Sequence, residues 1–568
     1  MVNWSRGRAK LSVLTIVWLL AESAFAVSVQ PEGFNSVGLD LVRDREPNLT
    51  GQGTTIAVIC RSTTYIDGVP QNDYKPDLAH HCLAQTSLSL YNDADPAAEA
   101  SEHSTGICSL LFGKDSDAYE QSLGTFDYQG LVCDANAQVF EFWHFLKEQV
   151  FNNVRPQADV ISVGVGSVFE DWWTRGIEAM AEQYATVVVA GIGNGAGAHD
   201  LPLYPAAGAN VIAVGVLQPM AEDKSLEAPS RFSFARPLSS TGGPTEDGRC
   251  KPDLVAPGNY LVAVADEPNQ YRPCGSYCSF AAPVIAGTAA LLIQKAKANP
   301  DTADLLAGDS GNCVIKAILM NTAAKLPYWH KGKLSKDDDH EAPLDFMHGA
   351  GVLDAFAAYN TLPAGPQPPG EVSGEGWDLG TLRQQQAAQN RYRFALPEPN
   401  DKMITITVAW NRHYQKRYPF EPIPQRDTNL RLELWAVGDD TASNDVLLDY
   451  SDSKTDNVEH IYCAADPNHS RYEIVISLGD QTAPDGEASE SYGIAWKLTG
   501  SGKNKPPAFY DLNGDGRVSK QDVTVLLENS VKCLEGPNDY MVGDINEDGT
   551  IDIKDVSSFV AQSEPNFE

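Results

Sequence analysis

Residues 277–287 read Tyr-Cys-Ser-Phe-Ala-Ala-Pro-Val-Ile-Ala-Gly, and an apolar run to Ile293 follows directly. This composition predicts a buried helix that begins near Ser279 and contains Pro283. The serine has two interpretations. It is the N-cap of an ordinary core helix, or it is a hydroxyl that the exposed end of a rigid helix aims in one direction, as a nucleophile requires. Other segments of the chain decide between them.

A second informative segment, residues 190–195, reads Ala-Gly-Ile-Gly-Asn-Gly and follows a β-branched run. Together with the spacing of Ser279 and Pro283, it resembles the subtilisin-like serine proteases (the subtilase family), in which a serine four residues before a proline opens the central helix. The resemblance implies that Ser279 is the nucleophile. It also implies that Asn194 donates a hydrogen bond to the developing oxyanion, a contribution of roughly 10²–10³ in rate. Considered locally, Asn194 is also a common residue of a glycine-rich turn.

The general base implied by the resemblance is His103, in the segment Glu-His-Ser-Thr-Gly-Ile. The family has His-Gly-Thr-His here, so Ser104 and Gly106 depart from its pattern. A lone histidine near a helix start is more often a surface or capping residue. The chain order of His103, Asn194 and Ser279 nevertheless matches the family order, in which the acid comes first.

The position of the triad acid carries the largest departure from the family. The run from Gly51 to Ile59 predicts a core strand, and the next residue is Cys60, where the family has an aspartate. The acid holds the tautomer of the imidazole and stabilises the imidazolium, and neutralising an equivalent aspartate lowers turnover by about 10⁴. Asp67 and Asp73 lie beyond the strand and are the alternative acids. The triad is therefore expected to be incomplete.

The fold class follows from the alternation of residue types. Strand-like and helix-like stretches alternate over residues 35–362 and predict a subtilisin-like α/β domain, with a mainly parallel sheet that helices cover on both faces. Residues 363–370 have the composition of a stiff linker. Residues 371–500 predict an all-β sandwich and resemble the jelly-roll domains appended to some subtilases. Its clearest predicted strands are Tyr392–Leu396, Met403–Trp410, Leu430–Val437 and Tyr472–Leu478.

The N-terminus predicts an exported protein. Residues 1–26 combine three basic residues, an apolar stretch from Leu11 to Leu20 and the small-residue motif Ala24-Phe25-Ala26, as a secretory signal peptide does. The apolar stretch is too short for a membrane span. We therefore expect a secreted protein, extracellular or associated with the cell surface, and no membrane partner.

Charge and cysteine content add two expectations. The formal net charge of −34 at pH 7 disfavours nucleic acid as a partner. Ten cysteines in an exported chain permit disulfides. Sequence proximity favours Cys82 with Cys108 and Cys250 with Cys274, although connectivity cannot be deduced from sequence.

Two loops near the C-terminus have the ligand pattern of calcium sites. They begin Asp-Leu-Asn-Gly-Asp-Gly and Asp-Ile-Asn-Glu-Asp-Gly, at an offset of 33 residues. Calcium loops of this kind place oxygen ligands at positions 1, 3, 5 and 12, a backbone carbonyl at position 7 and a glycine at position 6. The candidate ligands are Asp511, Asn513, Asp515, Arg517 and Asp522 in the first loop and Asp544, Asn546, Asp548, Thr550 and Asp555 in the second. Arg517 and Thr550 would contribute their carbonyls.

Paired loops of this form, over residues 506–562, resemble a type I dockerin, a small α-helical calcium-binding module. The resemblance implies calcium as a cofactor and a cohesin-bearing scaffold protein as a partner. An acidic tail without a fold of its own is the alternative.

The sequence thus predicts a secreted, monomeric serine endopeptidase that acts on polypeptides and whose activity is impaired at Cys60. The alternative is a catalytically inactive pseudoprotease on the same fold, which binds peptides or acts as a scaffold. Three of the four family residues are present, and the acid is not absolutely required. This favours the enzyme.

Overall fold

The structure is a computed structural model of the chain. It describes residues 34–500 with the exception of residues 35–36, 61–63, 67–68, 72–73, 93–99, 121–123, 196–200, 220–231, 234–239, 259, 276, 326–328, 333–339, 385–387, 397–401, 425, 427, 439–443 and 480–488. The predicted signal peptide and the predicted dockerin with its ten candidate calcium ligands lie outside the described residues. The candidate acids Asp67 and Asp73 lie outside them as well.

The first part of the chain alternates strands and helices. In chain order its elements are α1 (Leu39–Arg45), β1 (Thr55–Ile59), β2 (Thr64–Ile66), β3 (Val69–Gln71), β4 (Leu88–Tyr91), α2 (Glu102–Phe112), β5 (Lys114–Glu120), β6 (Gly124–Gln129), β7 (Asn136–Phe140), α3 (Phe142–Phe145), β8 (Val160–Val163), α4 (Trp172–Tyr184), β9 (Val187–Gly191), β10 (Ile212–Pro219), β11 (Phe232–Ser233), β12 (Leu254–Pro257), β13 (Leu261–Ala263), β14 (Tyr271–Pro273), α5 (Cys278–Lys297), α6 (Pro300–Ala307), α7 (Gly311–Thr322) and α8 (Ala355–Thr361). A π-helical turn, Leu146–Phe151, continues α3.

An eight-stranded sheet organises these elements in the order β11-β10-β9-β8-β1-β7-β4, with β12 also paired to β10. Every pairing in it is parallel except that of β10 with β11. Ile56 and Val58 of β1 pack in the apolar cluster that contains α5, whereas Ala57 and Ile59 pack in the cluster that contains α4. Because successive strand side chains point to opposite faces, helices cover both faces of the sheet. The predicted α/β fold with a mainly parallel sheet is confirmed.

Helix α5 runs against the middle strands of the sheet. It is the described helix whose length and composition would also suit a membrane span, and its most apolar stretch is 78% buried inside the protein. It contacts β8, β9 and β10. The apolar composition of α5 is therefore explained by its burial in the core of the domain.

The second part of the chain consists of strands. They are β15 (Gly370–Glu371), β16 (Gly376–Arg383), β17 (Gln389–Ala395), β18 (Lys402–Trp410), β19 (Leu430–Val437), β20 (Val446–Ser451), β21 (Val458–Ala464), β22 (Arg471–Leu478) and β23 (Ser489–Gly500). They form two sheets, β15-β17-β22-β19-β20 and β16-β23-β18-β21. The four strands predicted from the alternating pattern overlap β17, β18, β19 and β22. Their inward side chains form one apolar cluster, as a sandwich requires.

The two parts pack directly against each other. Helix α7 lies on β18 and β23, and a methyl group on Gly493 would overlap the backbone of Cys313 and Val314. The side-chain amides of Asn312 and Asn411 exchange two hydrogen bonds of 3.1 Å. Only a glycine allows backbone elements to approach this closely, so the sequence of the sandwich is fitted to α7.

A loop of the sandwich reaches the opposite face of the α/β domain. Phe420 is fully buried in the cluster that contains α4, and its Cε2 would lie 3.0 Å from a methyl group on Gly176. Near it, the two ring nitrogens of His413 donate hydrogen bonds to carboxylates, to Glu182 of α4 at 2.7 Å and to Glu490 of β23 at 3.0 Å. Burial alone would lower the pKa of His413, but these carboxylates outweigh it and raise the pKa to about 9. An imidazolium therefore bridges the two parts at neutral pH.

The two disulfide pairings favoured by sequence proximity are wrong. No bridge joins Cys82 to Cys108 or Cys250 to Cys274 among the described residues. Cys250 sits at the sandwich, where its N–H donates to Asp456 at 2.8 Å, whereas the Cys274 thiol lies 3.3 Å from the N–H of Tyr260. Nearness in sequence did not bring Cys250 and Cys274 together.

Candidate active site

Ser279 is the second residue of α5 and is partly exposed, between the buried residues Cys278 and Phe280. The backbone of Tyr277 is extended, so the helix begins at the next residue, Cys278. The first N–H groups of a helix have no intrahelical partner, and they carry the positive end of its dipole. Pro283 has no N–H to donate to the Ser279 carbonyl, so the first turn is held by fewer bonds. The hydroxyl therefore lies at a positive, accessible helix end.

Asn194 is fixed beside the start of this helix. Its Oδ1 accepts a hydrogen bond of 2.8 Å from the backbone N–H of Cys278. Since that N–H can only donate, the bond identifies the oxygen of the amide, and the two N–H donors lie on the other side of the group. Gly193 precedes it with a φ of +127°, a conformation that favours glycine. The amide is thus held beside Cys278, one residue from Ser279.

Cys278 anchors this corner of the site. Its Sγ accepts from the N–H of Gly193 at 3.3 Å, and a methyl group on Gly191 would lie 2.7 Å from the same sulfur. Burial raises the pKa of the Cys278 thiol to about 11. It is therefore neutral at physiological pH and joins α5 to the end of β9, which the sequence did not indicate.

His103 lies in the first turn of α2, after the N-cap Ser101. Its ring centroid is 5.8 Å from that of Phe280, at an angle of 60°. A methyl group on Gly164, just after β8, would lie 3.4 Å from His103 Cε1. The imidazole therefore stands between the end of β8 and the residue that follows Ser279. The hydrogen bond between His103 and Ser279 stays a prediction.

Cys60, at the position of the triad acid, is fully buried after β1. Its thiol donates to Ser104 Oγ at 3.3 Å, and the Ser104 hydroxyl donates to the carbonyl of Tyr74 at 2.6 Å. Cys108 lies one turn along α2 from Ser104, and burial raises the pKa of its thiol well above the ordinary range. The two departures from the family pattern, at residues 60 and 104, therefore contact each other.

The carboxylate of Asp77 binds backbone N–H groups. Its Oδ1 accepts from the N–H of Ala79 at 2.9 Å, and its Oδ2 accepts from the N–H of Asp266 at 3.0 Å. Both carboxylate oxygens thus stabilise turns of the backbone. Among the described residues, no group of three or more His, Cys, Asp or Glu side chains is placed to hold a metal ion.

The α/β part of the chain matches a known protein family. Residues 74–351 match the subtilase family, Peptidase_S8. The matched span begins after Cys60 and contains His103, Asn194 and Ser279. Residues 74–351 are therefore similar to the subtilase family of serine proteases.

Solved structures of three proteins are similar to this chain. Prenylagaramide maturation protease PagA is 20% identical and covers 57% of this chain and 98% of its own, with a TM-score of 0.37. The self-cleaved protease domain of PatA is 19% identical and covers 56% and 100%, with a TM-score of 0.36. PatG macrocyclase in complex with peptide is 15% identical and covers 59% and 99%, with a TM-score of 0.39.

Proposed function

We propose that this protein is a serine endopeptidase of the subtilase type with a weakened catalytic triad. The observation that carries the proposal is the hydrogen bond of 2.8 Å between Asn194 Oδ1 and the Cys278 N–H. It ties an amide donor to the residue before Ser279, at the positive end of a buried helix. If Ser279 were only the N-cap of a core helix, it would not need an amide donor beside it.

The chemistry follows from these positions. Ser279 Oγ attacks the scissile carbonyl while His103 takes its proton, and the oxyanion that forms accepts from the Asn194 amide and the helix N-terminus. His103 then gives the proton to the leaving amine, and water releases the acyl group by the reverse steps. With the Cys60 thiol hydrogen-bonded to Ser104, the imidazolium has a thiol where the family has a carboxylate. The expected result is a slow enzyme.

A fluorophosphonate probe tests the nucleophile. Such probes phosphonylate an activated serine, so the wild-type chain should become labelled at Ser279 and Ser279→Ala should not. Ser116→Ala removes an exposed serine on β5 and should leave labelling unchanged. Labelling that persists in Ser279→Ala, or its absence from the wild type, would contradict the proposal.

The neutral chain of Cys60, Ser104 and Tyr74 favours a second candidate, a peptide-binding pseudoprotease. In that case the protein binds peptides beside Ser279 without cleaving them. Peptide binding together with no labelling and no hydrolysis would support this candidate over the enzyme.

We also propose that the C-terminal residues 506–562 form a calcium-dependent dockerin and that the protein is exported. The support is the repeated ligand pattern and the signal-like N-terminus in the sequence. Calorimetry on the full chain should find two calcium ions, and Asp515→Ala should weaken one site and leave the second. Absence of calcium uptake would remove the reason to expect a cohesin partner. Secreted material should begin near residue 27.

A further inference from the structure

A cavity of about 360 Å³ lies at the end of the sheet that faces away from Ser279. Its walls are the starts of β8 and β9, the last turns of α5, α6 and the start of α7. Ser279 and Lys297 lie at opposite ends of α5, and a rise of about 1.5 Å per residue separates them by roughly 27 Å. Ligand sites have volumes of about 300–1,000 Å³. The cavity is therefore large enough for a small molecule and separate from the candidate active site.

The interior of this cavity is apolar. Its side chains come from the starts of the two strands and from all three helices. Each exposes at most 9% of its surface, and they are Ala158, Val187, Ala296, Leu306 and Ile315. An apolar group that enters such walls releases water from them, which is favourable, whereas a fully polar solute gains nothing. We therefore expect a ligand with an apolar body.

One ion pair at the rim of the cavity is already satisfied. The Lys297 ammonium donates to Asp159 Oδ1 at 2.9 Å, to Asp159 Oδ2 at 2.8 Å and to the carbonyl of Gly53 at 2.9 Å. Asp159 Oδ2 also accepts from the N–H of Thr55 at 2.9 Å. An ammonium has three N–H donors, so Lys297 has none left for a ligand. The pair as a whole is neutral and does not select the charge of a ligand.

Arg155 is the other cation at the rim, and it is exposed. No described carboxylate forms an ion pair with it, although the chain has a formal net charge of −34 at pH 7. The loop before Arg155 is held in place by the Tyr184 hydroxyl, which donates to the carbonyl of Asn153 at 2.9 Å. A guanidinium can bind a carboxylate through two parallel N–H donors. Arg155 therefore favours an anionic group at the mouth of the cavity.

The start of α7 adds to the positive potential inside the cavity. Gly311 and Asn312, the first residues of this helix, line the cavity, and no acidic side chain occupies its first turn. The first N–H groups of a helix carry the positive end of its dipole. This potential has the same sign as the charge of Arg155, so both favour the same kind of ligand.

We propose that this cavity binds a small amphipathic carboxylate, whose apolar body packs in the interior and whose carboxylate pairs with Arg155. Two sources have this chemistry, a free aliphatic carboxylic acid and the C-terminal residue of a peptide with an apolar side chain. The site is far from Ser279, so its occupancy does not depend on the proposed protease activity.

The test measures dissociation constants on the full chain by saturation-transfer NMR. Hexanoate and octanoate represent the free acid, and N-acetyl-leucine represents a peptide end. Their uncharged counterparts are 1-octanol and N-acetyl-leucinamide. Arg155→Gln removes the cation, and Ala303→Leu places a larger side chain in the wall formed by α6. Arg383→Gln, at an exposed arginine of β16, is the matched control, and Ser279→Ala tests whether the ligand binds at the candidate active site instead.

We expect each added CH₂ from hexanoate to octanoate to tighten binding about fourfold, because burial of one CH₂ contributes about 0.8 kcal/mol. Arg155→Gln should weaken binding of the carboxylates about fivefold, as an exposed ion pair allows, and should leave binding of the uncharged counterparts unchanged. Ala303→Leu should abolish binding of octanoate. Arg383→Gln and Ser279→Ala should bind as the wild type does.

The two carboxylate probes distinguish the sources. Binding of octanoate without N-acetyl-leucine supports a free acid, the reverse supports a peptide end, and binding of both supports the shared chemistry. Binding of neither probe would overturn the inference. So would equal affinity for hexanoate and octanoate, carboxylate binding that ignores Arg155→Gln and Ala303→Leu, or binding that is lost in Ser279→Ala. Loss of the proposed protease activity in every assay would leave these results unaffected.

Discussion

Cys60→Asp should raise hydrolysis of a peptide substrate at least about tenfold. Loss of the negative acid from a serine protease triad costs about 10⁴ in turnover, or about 5.5 kcal/mol. Recovery should be partial, because the site of Cys60 is fully buried and holds the neutral thiol of Cys108 nearby. Burial disfavours an ionised carboxylate. The Ser104 hydroxyl can stabilise it only by leaving the Tyr74 carbonyl, to which it donates at 2.6 Å.

The assay is kcat/KM on a peptide substrate, measured across about pH 6–9. Cys60→Asn is the matched control, because it has nearly the shape of Asp and carries no charge. Burial should raise the pKa of the new carboxyl group. The gain should therefore grow as the pH rises and Asp becomes ionised, and Cys60→Asn should gain nothing at any pH.

Two results would refute this reasoning. If Cys60→Asn gains as much as Cys60→Asp, shape and not charge limits the wild type. If the wild type already turns over at ordinary protease rates of 1–10³ per second and Cys60→Asp lowers them, another residue supplies the acid.

Three further predictions concern the oxyanion donor and the junction of the two parts. Asn194→Ala should lower kcat by about 10²–10³, and an unchanged kcat would exclude the amide as a donor. The raised pKa of His413, about 9 against an ordinary 6.5, means that its contribution to stability is complete below about pH 6.5 and is lost as the pH rises through 9. Thermal unfolding should record this loss in the wild type and not in His413→Gln. Gly493→Ala, which would overlap the backbone of Cys313, should lower the free energy of unfolding by about 1–3 kcal/mol in denaturant titrations, and an unchanged value would mean that α7 moves aside freely.

The sequence predicted those helices and strands whose pattern of apolar residues is continuous along the chain. The apolar run after Ser279 is a core helix, and the β-branched run of β9 is a buried central strand. The strands of the sandwich follow their alternation closely. Local periodicity determines such elements because each one must bury a defined face.

The features that the sequence did not predict join residues far apart in the chain. Cys60 and Ser104 were each recognised as departures from the family, but their contact across 44 residues depends on the packing of α2 against β1. The fact that both residues differ from the family pattern was the signal in the sequence that they contact each other. The wrong disulfide pairings have the same cause, because cross-links depend on three-dimensional geometry.

The burial of Phe420 in the α/β domain affects how this protein can be rearranged. A chimera that took its sandwich from another relative would leave a hole the size of a phenylalanine beside Gly176, unless the new loop supplied an aromatic ring at the same point. Removing a buried phenylalanine costs about 3–5 kcal/mol, a large share of the stability of an ordinary domain. A chimera that exchanges the sandwich at residues 363–370 would therefore be destabilised. A domain fused after β23 would leave the contact between Phe420 and the α/β domain intact.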